Sequence, residues 1–228
     1  MKALIAFYHS SIGKKWVVAI TGLALILFVV GHLLGNLQIF LGQNAINAYA
    51  ERLQGLGELL WVARIGLIVA VLLHIVTTVL LAIQNKLARD TPYAVKKRVA
   101  ATIAARTMLL SGLLIVSFVI FHILHYTTLS IHPEWKQLVD SSGRHDVYSM
   151  MIYGFSSPLV SGFYILSIFF LCLHLNHGIQ SFLQTLGIRT RGFAPAISRV
   201  SVIGSWLIFA GYISIPVAVL LKVLTAAQ

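Results

Sequence analysis

Nine histidines stand out in a chain that has only 6 acidic residues. Six of them, His32, His74, His122, His125, His174 and His177, fall inside long apolar runs. Ionisable groups are expensive inside a membrane, and there they generally bind cofactors, carry protons or bond to a neighbouring helix. A neutral imidazole offers one nitrogen lone pair, so histidines paired from different helices suit an iron that takes an axial ligand on each side. Zinc would need three or four donors converging at one level, and a proton relay would need acids at mid-depth; neither pattern is present. The one cysteine, Cys172, lies in an apolar run. That excludes an intramolecular disulfide, a paired-cysteine metal site and covalent haem attachment.

The elements that hold these rings follow from composition. The chain has 228 residues, 58% of them hydrophobic and 10% charged, against about 25% charged in soluble domains. A water-soluble globule is ruled out. Five apolar runs, residues 16–40, 61–84, 107–129, 158–186 and 200–221, each have the length that crosses a bilayer as a helix. The alternation of a membrane β-barrel is absent. Lys14, Lys15 and the small residues Ala48-Tyr49-Ala50 mimic a signal peptide. The first run, however, exceeds the roughly 7–15 residues of a signal-peptide core, so it reads as a retained helix. The expected fold is all-α: one transmembrane domain over residues 1–228, a five-helix bundle with cofactors among its first four helices.

Loop charge orients the bundle. Lys2, Lys14, Lys15, Lys86, Arg89, Lys96, Lys97, Arg98, Arg106, Arg189, Arg191 and Arg199 fall on one side, with Asp90 as its one acid. On the other side five basic and five acidic residues balance. The positive side is cytoplasmic by the usual rule, so the N-terminus is expected inside and the C-terminus outside. The formal charge of +11 is therefore a topology signal, and no soluble domain remains to bind nucleic acid. The outer connections, near residues 41–60 and 130–157, are the polar ones, with Gly, Asn, Asp and Pro.

Depth then pairs the histidines. His32 is 16 residues beyond Trp16 and His122 15 beyond Thr107, about 24 and 22 Å from the inner face at 1.5 Å per residue. His74 precedes Gln84 by 10 residues and His174 precedes Leu186 by 12, roughly 15–18 Å from the same face. Two levels, each with one ring from two helices, are what two bis-histidine haems stacked across a membrane require. His125 and His177 follow His122 and His174 by three residues and stay open as alternates. Gly22, Gly31, Gly35, Gly66, Ser111, Gly112, Ser117, Ser161, Gly162 and Ser167 would allow close approach, although small residues are also how membrane helices pack.

Two stretches carry a family pattern. One is Ser10-Ser11-Ile12-Gly13-Lys14-Lys15 with Thr21-Gly22-Leu23 and Gly31-His32-Leu33-Leu34-Gly35-Asn36-Leu37. The other runs from His174-Leu175-Asn176-His177-Gly178 to Leu186-Gly187. Together they resemble the cytochrome b558 membrane anchor of succinate dehydrogenases and fumarate reductases, in its single-chain, dihaem branch. The resemblance implies two haem b groups and a quinone, menaquinone or ubiquinone. It implies a bacterial cytoplasmic membrane, and docking on the cytoplasmic side by a flavoprotein with FAD and an iron–sulfur protein. The family's ligand positions fall on His32 and His122 for the outer haem and on His74 and His174 for the inner one. Such an anchor carries electrons and serves quinone, and does no succinate chemistry itself.

Quinone reduction consumes protons, so polar groups near the outer haem are expected. Glu58, Trp61, Arg64, Asn36 and Gln38 are the candidates, and an interfacial belt of aromatic and snorkelling side chains is the competing reading. Cys172 stands where a relative with a proton-carrying route has Glu. Arg106, Lys97 and Arg98 are expected at the inner boundary, against propionates, a partner or headgroups. Rival readings are the cytochrome b anchor of a formate dehydrogenase or hydrogenase, and a haem-free transporter.

Overall fold

The computed structural model describes residues 2–88 and 107–226. The loop charges Arg89, Asp90, Lys96, Lys97, Arg98 and Arg106 lie outside the described residues. Helix α1 (Lys2–His9) turns at Ser10 into α2 (Ser11–Asn36), which tightens into a 3-10 turn, Leu37–Leu41. Then come α3 (Gln43–Gln54), α4 (Glu58–Leu87), α5 (Met108–His122), α6 (Val147–Phe155), α7 (Pro158–Thr185) and α8 (Ala194–Leu220). Among the described residues there is no strand, only one bridge between Val139 and His145.

Five of these segments are long and apolar enough to span a membrane: Ser11–Leu41, Glu58–Leu87, Met108–Thr127, Pro158–Thr185 and Ala194–Leu220. Most begin outside the apolar runs, because capping rather than hydropathy sets where a helix starts. Ser10 accepts the Gly13 N–H at 2.9 Å and starts α2 five residues before Trp16. The last helix starts at Ala194 rather than 200, with a proline in its first turn; an N-terminal proline forfeits no hydrogen bond.

The central helix is α7, packed along α8, α5 and α2. By contrast α4 packs along α2 and has little backbone contact with α7. The apolar core sits toward one end, where Phe118, Tyr164, Ile168 and Ile215 meet Ile39, Ile46 and Phe155. Hydroxyls inside the helices are satisfied by the preceding turn: Ser167, Ser201 and Ser205 each donate at 2.7 Å to the carbonyl four residues back. The Tyr212 hydroxyl donates to the Val29 carbonyl at 2.7 Å and ties α8 to α2.

The connections expected as polar loops fold together as a cap over this end, made from α3, a 3-10 turn (Pro133–Gln137), the following loop and α6. Asn47, 1% exposed, is its hub. Its amide donates to Asp140 at 3.1 Å and to Asp146 at 3.0 Å, and its carbonyl accepts the Tyr148 N–H at 3.0 Å. Arg144 closes on Asp140 at 2.7 Å, and Gln43 donates to Asp146 at 2.9 Å. The Arg144 guanidinium holds the Asp140 carboxyl well below the usual carboxylate range, helped by Asn47 and two backbone N–H groups. Burial pushes Asp146 up, but hydrogen bonds from Ser149, Asn47 and Gln43 together outweigh it and keep the group low.

A group with a depressed native pKa stabilises fully above its unfolded value, about 3.9 for Asp, and loses that contribution as pH falls through the native value. Thermal unfolding in detergent should therefore hold steady from neutral pH down to about pH 4 and drop below it. Asn47→Leu, which strips the shared donor from both carboxylates, should lower the unfolding temperature at neutral pH and flatten this acid dependence.

Candidate functional site

Two rings face each other at each of two levels. His32 on α2 and His122 on α5 have ring centres 5.7 Å apart, with planes at 83°. His74 on α4 and His174 on α7 have centres 6.5 Å apart, with planes at 59°. Neither pair sits on helices whose backbones pack closely, so each faces across a gap that side chains alone span. A first-row metal holds an imidazole nitrogen at about 2.0–2.1 Å, so two imidazoles on opposite sides of one metal have centres roughly 6 Å apart. Both pairs lie within 1 Å of that separation. Among the described residues no three His, Cys, Asp or Glu side chains converge, so the donor sets are pairs.

The levels can be ranked along three helices through their hydrogen bonds. Thr21 meets His74, and His32 lies 11 residues further along α2. Ser111 meets His174, and His122 is 11 residues further along α5. Tyr164 meets His122, and His174 is 10 residues further along α7. All three give a separation of about 15–17 Å. Counting from apolar boundaries put the levels only about 6 Å apart. The structure gives the larger spacing, because hydropathy boundaries on different helices are not at one height.

The lower pair is held by a construction that appears twice. The Thr21 hydroxyl donates to the Val17 carbonyl at 2.7 Å, so its oxygen is left to accept the Nδ1–H of His74 at 3.1 Å. The Ser111 hydroxyl donates to the Met108 carbonyl at 3.1 Å and likewise faces His174 Nδ1 at 3.3 Å. With the proton on Nδ1, the Nε2 lone pair is free to act as a base or ligand. A glycine follows each hydroxyl. A Cβ at Gly22 would come within 3.3 Å of His74 Cε1, and one at Gly112 within 3.8 Å of His174 Cε1. The sequence contains both Thr21-Gly22 and Ser111-Gly112, but the role of Thr21 was not read from it. Interhelical hydrogen bonds in membranes average about 0.6 kcal/mol, so these orient the rings rather than hold the helices together.

At the upper level His32 stacks on Phe28, 5.3 Å apart at 16°, with the Tyr212 ring 6.4 Å away. The alternates separate from the paired rings by local geometry. α5 is α-helical to His122, then makes a π-helical turn over Ile123–Thr127. This wider turn carries His125 away from His32 and into the cap, where it is 1% exposed against Tyr126 and Trp135. π-Helical turns of this kind are frequent at functional sites. His177 bonds the Ser181 hydroxyl one turn along its own helix at 3.0 Å and has no ring contact with His74 among the described residues. Tyr164, which the sequence did not single out, bonds both His122 Nδ1 at 3.3 Å and His125 Nδ1 at 3.1 Å.

The five quinone candidates are all at the capped end but do not converge. Arg64 lies over the Trp61 ring at 5.1 Å, and the Asn36 amide is spent on the His32 carbonyl at 2.8 Å. Glu58 and Gln38 have no hydrogen bond to the other three among the described residues. A cleft of about 330 Å³ on the cap, lined by Asn47, Glu51, Gln54, Arg144 and His145, holds none of the intramembrane histidines.

Packing in the cap, above the upper level, is tight at one point. A Cβ on Gly154 would run into the Tyr126 hydroxyl and come within 3.1 Å of His125 Cε1. Gly154→Ala should destabilise the folded protein by about 1–3 kcal/mol as an overpacked core site, read as thermal unfolding in detergent. Gly162→Ala, where a Cβ meets open space, should not lower stability. Comparison with protein-family models, with curated proteins and with solved structures finds no match.

Proposed function

We propose that this chain is the dihaem cytochrome b membrane anchor of a succinate:quinone oxidoreductase, passing electrons between an iron–sulfur subunit and membrane quinone. The observation that carries the reading is the facing of His74 with His174 and of His32 with His122 at two levels. The chain's resemblance to the dihaem anchors, on the motifs around His32 and His174, supplies the partners and the substrate. The N-terminus is cytoplasmic, in a bacterial cytoplasmic membrane. A flavoprotein with FAD and an iron–sulfur protein dock at the open end, away from the cap, where Lys15, Lys86, Arg189 and Arg191 lie.

His74 and His174 would hold the haem b nearer the open end, and His32 and His122 the one beneath the cap. Bound haem supplies a one-electron iron couple at each level. The residues of the chain supply the rest. Thr21 and Ser111 would fix the Nδ1 tautomer and leave each Nε2 lone pair free to bind. Phe118, Phe28 and their neighbours exclude water around the upper rings. The separation of the levels carries charge partway through the low-dielectric layer, so flow couples to membrane potential at about 2.3 kcal/mol per 100 mV for a full crossing.

The purified protein should give a b-type band in a dithionite-reduced minus oxidised spectrum, and a chain without that band is not a cytochrome. His74→Ala or His174→Ala should remove one haem and leave the component lost in His32→Ala or His122→Ala; loss of the same component in all four variants would break the pairing. Co-purification with an FAD protein active on succinate supports the named complex. A molybdenum or nickel partner overturns it.

A further inference from the structure

His125 is a buried titratable group that the haem-holding role does not use. Its ring is 1% exposed, Nδ1 bonds the Tyr164 hydroxyl at 3.1 Å, and Nε2 is buried with no hydrogen-bond partner. An unsatisfied ring nitrogen in such a place costs free energy, so its retention calls for a reason. Three neighbours suggest one. Tyr164 also bonds His122 Nδ1, which puts His125 one hydroxyl away from the upper pair. On the other side the His132 ring centre is 5.7 Å from that of His125. His132 in turn bonds Glu134 at 2.9 Å, and both of those side chains reach solvent, at 39% and 63% exposure. The bundle has no acid at mid-depth, yet this line of titratable groups runs from the upper histidine pair to water at the capped end.

We propose that His125 is a proton-accepting site coupled to the redox state of the His32/His122 level and filled from the capped end through His132 and Glu134. The inference rests on the haem reading above. For each electron that reaches the upper level, one proton leaves water at the capped end and forms an N–H bond at His125 Nε2. With haem bound at that level, the electron would be taken up by its one-electron iron couple, and the new imidazolium would offset the arriving negative charge. Nδ1 of His125 stays in contact with the Tyr164 hydroxyl while Nε2 takes the proton. Reoxidation returns the electron to its acceptor and the proton to water. The reductant is a one-electron donor on the open-end side, an iron–sulfur cluster in the complex or dithionite in the test. The titratable groups facing His125 are His122 and Tyr126 on α5, Tyr164 on α7, and His132 with Glu134 in the connection.

The test is potentiometric titration of the purified dihaem protein with dithionite at a series of pH values. The outer midpoint should fall with pH toward 59 mV per unit, a tenfold change in proton activity for one electron, while the inner midpoint stays level. His125→Gln, which can still bond Tyr164, should flatten the outer slope. His132→Phe should keep that slope but slow proton uptake, followed by a pH dye after rapid reduction. A pH-independent outer midpoint in the unaltered protein overturns the proposal even if the His125 variant fails to fold. So does a slope that survives His125→Gln, or uptake as fast in His132→Phe. In all three cases the b-type band remains and the haem reading stands; absence of the band overturns both.

Discussion

A nitrogen placed in hydrocarbon has to find a partner within the protein, and the lower half of this bundle is arranged around that need. Each lower imidazole takes a hydroxyl from an adjacent helix, and that hydroxyl is already committed to the carbonyl of its own preceding turn. The bond is therefore directional: the hydroxyl accepts and the ring donates. Rotation of α4 about α2 would bring another residue to Thr21, and rotation of α5 about α7 would do the same at Ser111. Apolar packing supplies most of the adhesion between helices, but it is tolerant of such rotations. The hydroxyl–imidazole bonds, weak as they are, select one of them.

The capped end solves the same problem with different chemistry. Asn47 stands between two carboxylates and a backbone N–H, so all its donor and acceptor directions are used where water is excluded. Its partners come from a connection 93 to 101 residues later in the chain. Joining the two connections fixes the ends of α2, α5 and α7 relative to one another, and with them the height of His32 against His122.

The spans were legible because a run of about 20 apolar residues has few other uses. Their starts were less so: Ser10 extends a helix beyond its apolar run, and hydropathy does not register a cap. Which rings meet was legible from depth, since His32 and His122 count to similar heights. How far apart the levels stand was not, because the count used four reference points at unequal heights. The Thr21-Gly22 and Ser111-Gly112 doublets were hidden by how common small residues are in membrane helices. The π-helical turn that sends His125 into the cap leaves no periodicity signal in five residues, and the Asn47 hub depends on residues too distant in sequence to associate by eye.

The packing of α4 also bears on how the bundle is held together. α4 leans on α2 and has little backbone contact with α7, although His74 and His174 face one another between them. Leu72 and Val76, two residues to either side of His74 and so on the opposite face of α4, are exposed. α4 is thus held to the bundle mainly through α2, and a group bound between His74 and His174 would tie it to α7 as well.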